Sequence, residues 1–255
     1  MKPDRDLILR EMGLGPVWRL RAPAAAAPAG QGASATTADA GQAQAIAPAV
    51  VPAAVPSALA PLAAMAWDEL ASTVAACRQC RLCEVRQQAV LGVGDRNADW
   101  LFVGEGPGAD EDVKGEPFVG QAGTLLDNML AAIKLKRGGN VYIANVVKCR
   151  PPGNRNPEAA EAAQCEPYLH RQIALIQPKL IVALGKVAAV NLLKRDAPVA
   201  SMRGKLHQYQ GIPLIVTYHP AYLLRSLPEK AKAWADLCFA VQTMQTLQSG
   251  KAAPI

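Results

Sequence analysis

The chain has 255 residues, a formal net charge of +6 and 51% hydrophobic residues, but much of that apolar content is alanine in the tract 22 to 67, where Asp39 is the one charge. About 189 residues remain to fold, which suits one domain and excludes two large ones. The tract is not a membrane span, because Pro48, Pro52, Pro56 and Pro61 interrupt it and alanine contributes little transfer energy. The apolar stretch Leu7 to Leu9 is cut off by Arg10 and Glu11, too short for a secretory signal, so a cytoplasmic protein is expected.

The leading segment RDLILREMGLGPVWRLRAP mixes charge with large apolar side chains and reads as a short linear binding motif over residues 1 to 21. Through Arg5, Asp6, Leu9, Met12, Gly13, Leu14, Trp18, Leu20 and Arg21 it resembles the N-terminal peptide of the psi subunit of the bacterial replicative clamp loader. That resemblance implies a clamp-loader or replisome component as partner. Residues 22 to 66, rich in Ala and Pro, read as a disordered linker. The domain expected to follow, 67 to 255, carries a net charge of +5, a weak pointer to a polyanionic partner.

Six cysteines stand at Cys77, Cys80, Cys83, Cys149, Cys165 and Cys238. In a reducing compartment they do not form a disulfide framework. CRQCRLC followed by a C-x15-C pair offers enough thiolates for a four-sulfur metal site. Zinc ribbons draw a close C-x2-C pair from each half, and the second half here lacks one, which tilts the choice toward an iron–sulfur cluster and leaves zinc open. Buried thiols are the bland alternative.

Four apolar runs come next: DWLFVGEGPG, NVYIANVVKC, PKLIVALGKVAA and IPLIVTYHP. They alternate with helical patterns at 122 to 135 and 158 to 176, which predicts an α/β protein with a mainly parallel four-stranded sheet between two helical layers. Ligands of such sheets bind beyond the carboxyl ends of the strands. Glu105, Asn145, Gly185 and His219 fall there and are expected to converge on a pocket. GEGPG fits neither G-x-G-x-x-G nor a phosphate loop. It suits backbone that approaches a flat ligand closely, with Phe118 available to stack on it. In the last helix Trp234, Leu237, Val241, Met244 and Leu247 repeat at helical spacing, and Cys238 lies on or beside that face.

Taken together, GEGPGADEDVKGEPFVGQAG, VYIANVVKCRPPGNRNP and YHPAYLLR resemble the family 4 uracil-DNA glycosylases, from about Cys77 to the C-terminal helix. The resemblance implies a DNA-repair hydrolase, acting as a monomer on uracil in single- or double-stranded DNA and leaving an abasic site. It implies a four-iron, four-sulfur (4Fe-4S) cluster on Cys77, Cys80, Cys149 and Cys165, with Cys83 a bystander unless it swaps with Cys80. Glu111 then orients or activates the water, Gly106 supplies backbone near the base and Glu105 is secondary. Phe118 stacks on uracil, Asn145 reads its N3–H and O4, and His219 donates to O2 as negative charge develops. Leu223 or Leu224 fills the vacated stack while Arg225 meets phosphate; inward-packed leucines are the alternative. The segment KRDAPVASMRGK lacks the histidine-bearing insertion of relatives that trap DNA covalently, so turnover is expected. A non-catalytic iron–sulfur DNA-binding or replisome adaptor of the same fold is the competing function.

Overall fold

The computed structural model describes residues 59 to 250. The binding motif expected at 1 to 21 and the linker at 22 to 58 lie outside the described residues. In chain order the elements are α1 (Leu59–Ala64), α2 (Trp67–Ala76), α3 (Leu82–Val85), β1 (Val93–Gly94), β2 (Trp100–Gly104), α4 (Ala109–Lys114) and α5 (Gln121–Ala132). They continue with β3 (Val141–Asn145), α6 (Ala159–Ile176), β4 (Leu180–Leu184), α7 (Gly185–Leu193), α8 (Val199–Met202), β5 (Leu206–Tyr209), β6 (Ile212–Thr217), α9 (Pro220–Arg225) and α10 (Lys230–Gln248).

The sheet has six strands in the order β1-β3-β2-β4-β6-β5. The four expected strands are its parallel centre, and β1 and β5 add antiparallel edges. The edges escaped the sequence reading because β1 is two residues long and β5, LHQY, lacks the apolar run of a strand covered on both faces. The central strands β2, β3 and β4 are buried throughout. Their side chains alternate between two cores, as the period of two requires. Leu101, Val103, Ala144 and Ile181 pack with Leu70, Ile173 and Ala188 of α2, α6 and α7. Phe102, Ile143 and Val182 pack with Leu126, Leu130, Ala240 and Met244 of α5 and α10. The register sets Gly104 beside Asn145 and Leu184 beside Thr217, so the carboxyl ends of all four central strands open on one edge.

Two boundaries differ from expectation. Residues 59 to 66, assigned by composition to the linker, are ordered: α1 buries Leu62 in the first core, and Arg171 donates two hydrogen bonds to the Met65 carbonyl. Alanine-rich composition hid one well-placed leucine. The buried face of α10 runs through Ala233, Asp236, Leu237, Ala240, Thr243 and Met244, so Trp234 is 48% exposed rather than core, and Cys238 is half-buried beside the face. Among the described residues no helix is long and apolar enough to cross a membrane.

Candidate active site and cysteine cavity

The strand ends surround a cavity of about 530 Å³ whose walls include Glu105, Gly106, Glu111, Phe118, Asn145, His219 and Arg225. Of the four residues expected to converge there, Gly185 alone does not line it. A Cβ on Gly185 would stand 2.8 Å from the His219 Cβ, so this glycine, at φ +89°, lets β4 pass close behind the histidine. Gly104 has a similar duty in front. Its missing side chain leaves room for the Asn145 amide oxygen and the Phe118 ring, which approach its backbone from two sides.

Asn145 is buried at the end of β3, and its Oδ1 has no hydrogen-bond partner in the protein. Buried polar atoms are nearly always satisfied, so an orphan on a residue that lines a cavity marks a place for a ligand donor. Phe118 forms an adjacent wall, its ring 5.4 Å from that of His219. Its backbone is in the left-handed region at φ 56°, an uncommon conformation for an aromatic residue. The surroundings hold it there. Arg137 donates to the carbonyls of Pro117 and Phe118, both at 2.7 Å. Glu111 Oε1 accepts from the Val119 and Gly120 amides at 2.8 and 3.2 Å, while Oε2 accepts from the Gly108 amide at 3.0 Å. Glu111 thus lines the cavity and also staples its two loops together. Glu105, by contrast, is half-buried in the wall, and burial raises its carboxyl above the usual range.

His219 caps α9: its Nδ1 accepts the Ala221 amide at 3.1 Å. A ring nitrogen that accepts carries no proton, so the neutral imidazole bears its hydrogen on Nε2. Burial, then the nearby Arg225, lower His219 to about 4 against an opposing pull from Glu111. The side chain is therefore a neutral donor at physiological pH. Beyond it the two leucines part company. Leu223 is 1% exposed and packs inward, because the short helix turns it toward the protein; it does not reach a vacated base stack. Leu224 is 39% exposed, as is Tyr222, whose ring stacks on Tyr218 at 5.3 Å. Tyr222 lines the cavity beside Arg225. Asn154, Arg155 and Asn156 line it from the opposite loop and had been given no role. The loop signature PPGNRNP was visible in the sequence, but its polar residues carried no periodic signal.

A second, smaller cavity is lined by Cys77, Cys80, Cys83, Cys149 and Cys165, with Arg86, Lys148 and Tyr168. Cys238 is not among them. Arg86 Nη1 donates to Cys149 Sγ at 2.7 Å, and its Nη2 donates to the carbonyls of Ala75 and Cys77. The Lys148 amide donates to Cys165 Sγ at 3.2 Å. Burial pushes the Cys165 thiol up to about 12, against the pull of Lys148, and raises Cys149 against the pull of Arg86. Burial lowers Lys148 itself to about 8, with Cys165 and Cys149 opposing. Among the described residues no three ligand-type side chains converge as tightly as a single-ion site requires.

A family model described as the uracil DNA glycosylase superfamily matches residues 91 to 238. The chain belongs to that superfamily. Its curated relatives include a Type-4 uracil-DNA glycosylase of Archaeoglobus fulgidus, 44% identical over 165 residues that make up 62% of this chain and 82% of that protein. Type-4 enzymes of Saccharolobus solfataricus (41% identical, 63% of this chain and 78% of theirs) and Thermotoga maritima (43%, 59% and 79%) are similar. The matched region of this glycosylase superfamily member runs from just before β1 into α10 and contains the whole strand-end cavity. It includes Cys149 and Cys165 but starts after Cys77, Cys80 and Cys83.

Proposed function

We propose that this protein is a DNA-repair glycosylase that takes uracil out of DNA into the strand-end cavity and hydrolyses its N-glycosidic bond, leaving an abasic site. The observation that carries the reading is the orphaned Oδ1 of Asn145, a buried residue that lines the cavity together with Phe118 and His219. Uracil offers an N–H at N3 and a carbonyl at O4, which an asparagine amide can meet with its oxygen and its NH2. Cytosine inverts that pattern and is rejected, and Phe118 stacks on the flat base.

Cleavage places negative charge on the departing base. His219, neutral with its proton on Nε2, donates to uracil O2 as that charge grows, an interaction of a kind that contributes about 3 kcal/mol to barriers elsewhere. Glu111 acts first through geometry, since its two oxygens hold the loops that carry Gly106 and Phe118. Its remaining lone pair is available to the attacking water, and its charge favours an oxocarbenium-like sugar. Glu105 and Gly106 complete the wall beside the base. At the mouth Arg225 meets phosphate, and Leu224 and Tyr222 are the exposed side chains that can occupy the vacated stack.

The cysteine cavity suits a 4Fe-4S cluster held by Cys77, Cys80, Cys149 and Cys165. Arg86 donates to Cys149 and can offset thiolate charge, and a four-iron cluster spreads its ligand sulfurs more widely than one ion does. When bound, the group supplies a covalent clamp between the loop at 77 to 83, the end of β3 and helix α6. The full reading has a cytoplasmic monomer with a catalytic domain over 67 to 255, extended at its start by α1, acting on single- or double-stranded uracil-containing DNA. Residues 1 to 21, on the linker, tether it to a clamp-loader or replisome component. Incubation of purified protein with a uracil-containing oligonucleotide, followed by alkali, tests the activity: strand scission at uracil is expected, and intact strands refute it. Iron and sulfide analysis tests the cofactor, with zinc alone as the refuting result.

A further inference from the structure

Lys148 is 1% exposed, among the most completely buried large side chains of the molecule, and nothing so far explains why a cation should be there. Its Nζ donates to the Asn145 carbonyl at 2.8 Å and to Gln172 Oε1 at 2.5 Å. Both acceptors are neutral. Among the described residues Nζ makes no ion pair with a carboxylate, and the acidic groups that share the cysteine cavity with Lys148 and act on its charge are the thiols of Cys165 and Cys149. A buried ammonium without an anion costs far more than two neutral hydrogen bonds return. A methionine or leucine would fill the same space at no such cost.

The backbone of the residue is equally committed. Its amide donates to Cys165 Sγ, and its carbonyl accepts the Val90 amide at 2.7 Å. Gln172, in turn, donates to the Leu91 carbonyl and the Tyr142 hydroxyl, so it cannot swing away from Nζ. Val146 and Val147 continue the chain from the end of β3 and run beside the end of β2, with their amides on the carbonyls of Gly104 and Glu105. Lys148 therefore lines the cysteine cavity and is bonded to a residue that lines the other. Its backbone amide lies on Cys165 Sγ, and its ammonium holds the carbonyl of Asn145, whose residue lines the strand-end cavity.

We propose that Lys148 is a positioning residue that joins the two sites, its buried ammonium serving as counter-charge to thiolates at Cys149 and Cys165 while its bond to the Asn145 carbonyl fixes the residue that reads uracil. This rests on the reading of the cysteines as cluster ligands. A nearby positive charge favours the more negative, reduced state of such a cluster. Removal of that charge shifts its midpoint potential to more negative values, and removal of the hydrogen bond loosens Asn145.

The test uses the full chain with Lys148→Met and Lys148→Arg, and three measurements: iron content, midpoint potential, and inhibition of excision by free uracil. Lys148→Met is expected to lower the potential and to weaken uracil inhibition at least tenfold, while Lys148→Arg, which keeps the charge, returns the potential to the wild-type value. Loss of iron in Lys148→Met with retention in Lys148→Arg supports the same role. Wild-type potential and uracil inhibition in Lys148→Met overturn the proposal, as does loss of iron from both variants. If Lys148→Met does not fold, Lys148→Arg decides: an altered potential in it overturns the counter-charge role. Wild-type protein that contains no iron is a separate result, which removes the cluster reading and the counter-charge with it.

Discussion

Gly104→Ala adds one methyl group against Asn145 and Phe118, two walls of the strand-end cavity. The backbone of Gly104 is not in the left-handed region, so alanine adopts it without strain and any effect comes from space alone. An ideal Cβ there would lie 2.6 and 2.7 Å from Cζ and Cε2 of Phe118, and it would also overlap Asn145 Oδ1. Carbon atoms rest at about 3.5 to 4.0 Å, so the ring and the amide must each retreat by about 1 Å. Phe118 has little freedom to do so, because Glu111 and Arg137 fix the backbone on both sides of it. Misplacement of reacting groups by about 1 Å costs on the order of 100-fold in rate. Overpacking of a filled site costs about 1 to 3 kcal/mol in stability. Single-turnover excision from a uracil oligonucleotide should therefore fall about 100-fold, with a modest drop in melting temperature and unchanged iron. A wild-type excision rate would show that the stacked ring and the amide are not the groups that hold the base.

Asn145→Asp removes the NH2 donor and buries a carboxylate; uracil excision is expected to fall at least about 100-fold, about 3 kcal/mol, and near-normal turnover would place base recognition elsewhere. His219 titrates at about 4 in the folded protein and at 6.5 when unperturbed, so the folded state binds fewer protons between those values. Its contribution to stability is complete above pH 6.5 and declines as pH falls toward 4, by at most about 3 kcal/mol less what water in the open cavity screens. Denaturant melts of His219→Asn should lose that part of the pH dependence, and identical curves would contradict a neutral, half-buried imidazole. Cys149→Ser should lose iron while Cys83→Ser keeps it; retention in both would remove Cys149 from the ligand set.

The centre of the fold was legible because its strands are unbroken apolar runs, three of them leading into a polar residue at one sheet edge and β4 into Gly185. Glu105, Asn145 and His219 could therefore be placed on a common rim without any knowledge of tertiary contacts. The edges were not legible: β1 is too short for a period to register, and β5 is half polar. Leu223 and Leu224 show a second limit. Adjacent residues with the same side chain take opposite fates, one buried and one exposed, according to a helical phase that six residues are too few to reveal. Lys148 shows a third. Lysine reads as surface from sequence, and its burial depends on acceptors at Asn145 and Gln172, the second twenty-four residues away. The dual duty of Glu111 was hidden likewise, since its partners are backbone amides that no side-chain pattern encodes.

Asp112, like Glu111, is held by backbone amides. It follows Glu111 on α4, is 1% exposed, and forms no ion pair among the described residues. Its carboxylate instead accepts the Gln87 amide at 2.9 and 3.1 Å through its two oxygens, and the Gln88 amide at 3.4 Å. Its position in the first turn of α4 adds the favourable end of the helix dipole. The contacts tie the chain just after the cysteine loop to the helix on which the preceding residue, Glu111, organises the strand-end cavity. Asp112→Asn keeps the shape but turns one oxygen into a donor that faces a backbone donor, at a cost of about 1 to 3 kcal/mol. The strand-end cavity retains Glu111, Phe118 and Asn145, so the excision rate should change less than stability does. The segment around Arg86, released from its acceptor, should be cut faster by trypsin and should give up iron to a chelator sooner. Equal cleavage rates and equal iron loss in the variant and the wild type would mean that Arg86, through Cys149 and the carbonyls of Ala75 and Cys77, secures this loop without help from α4.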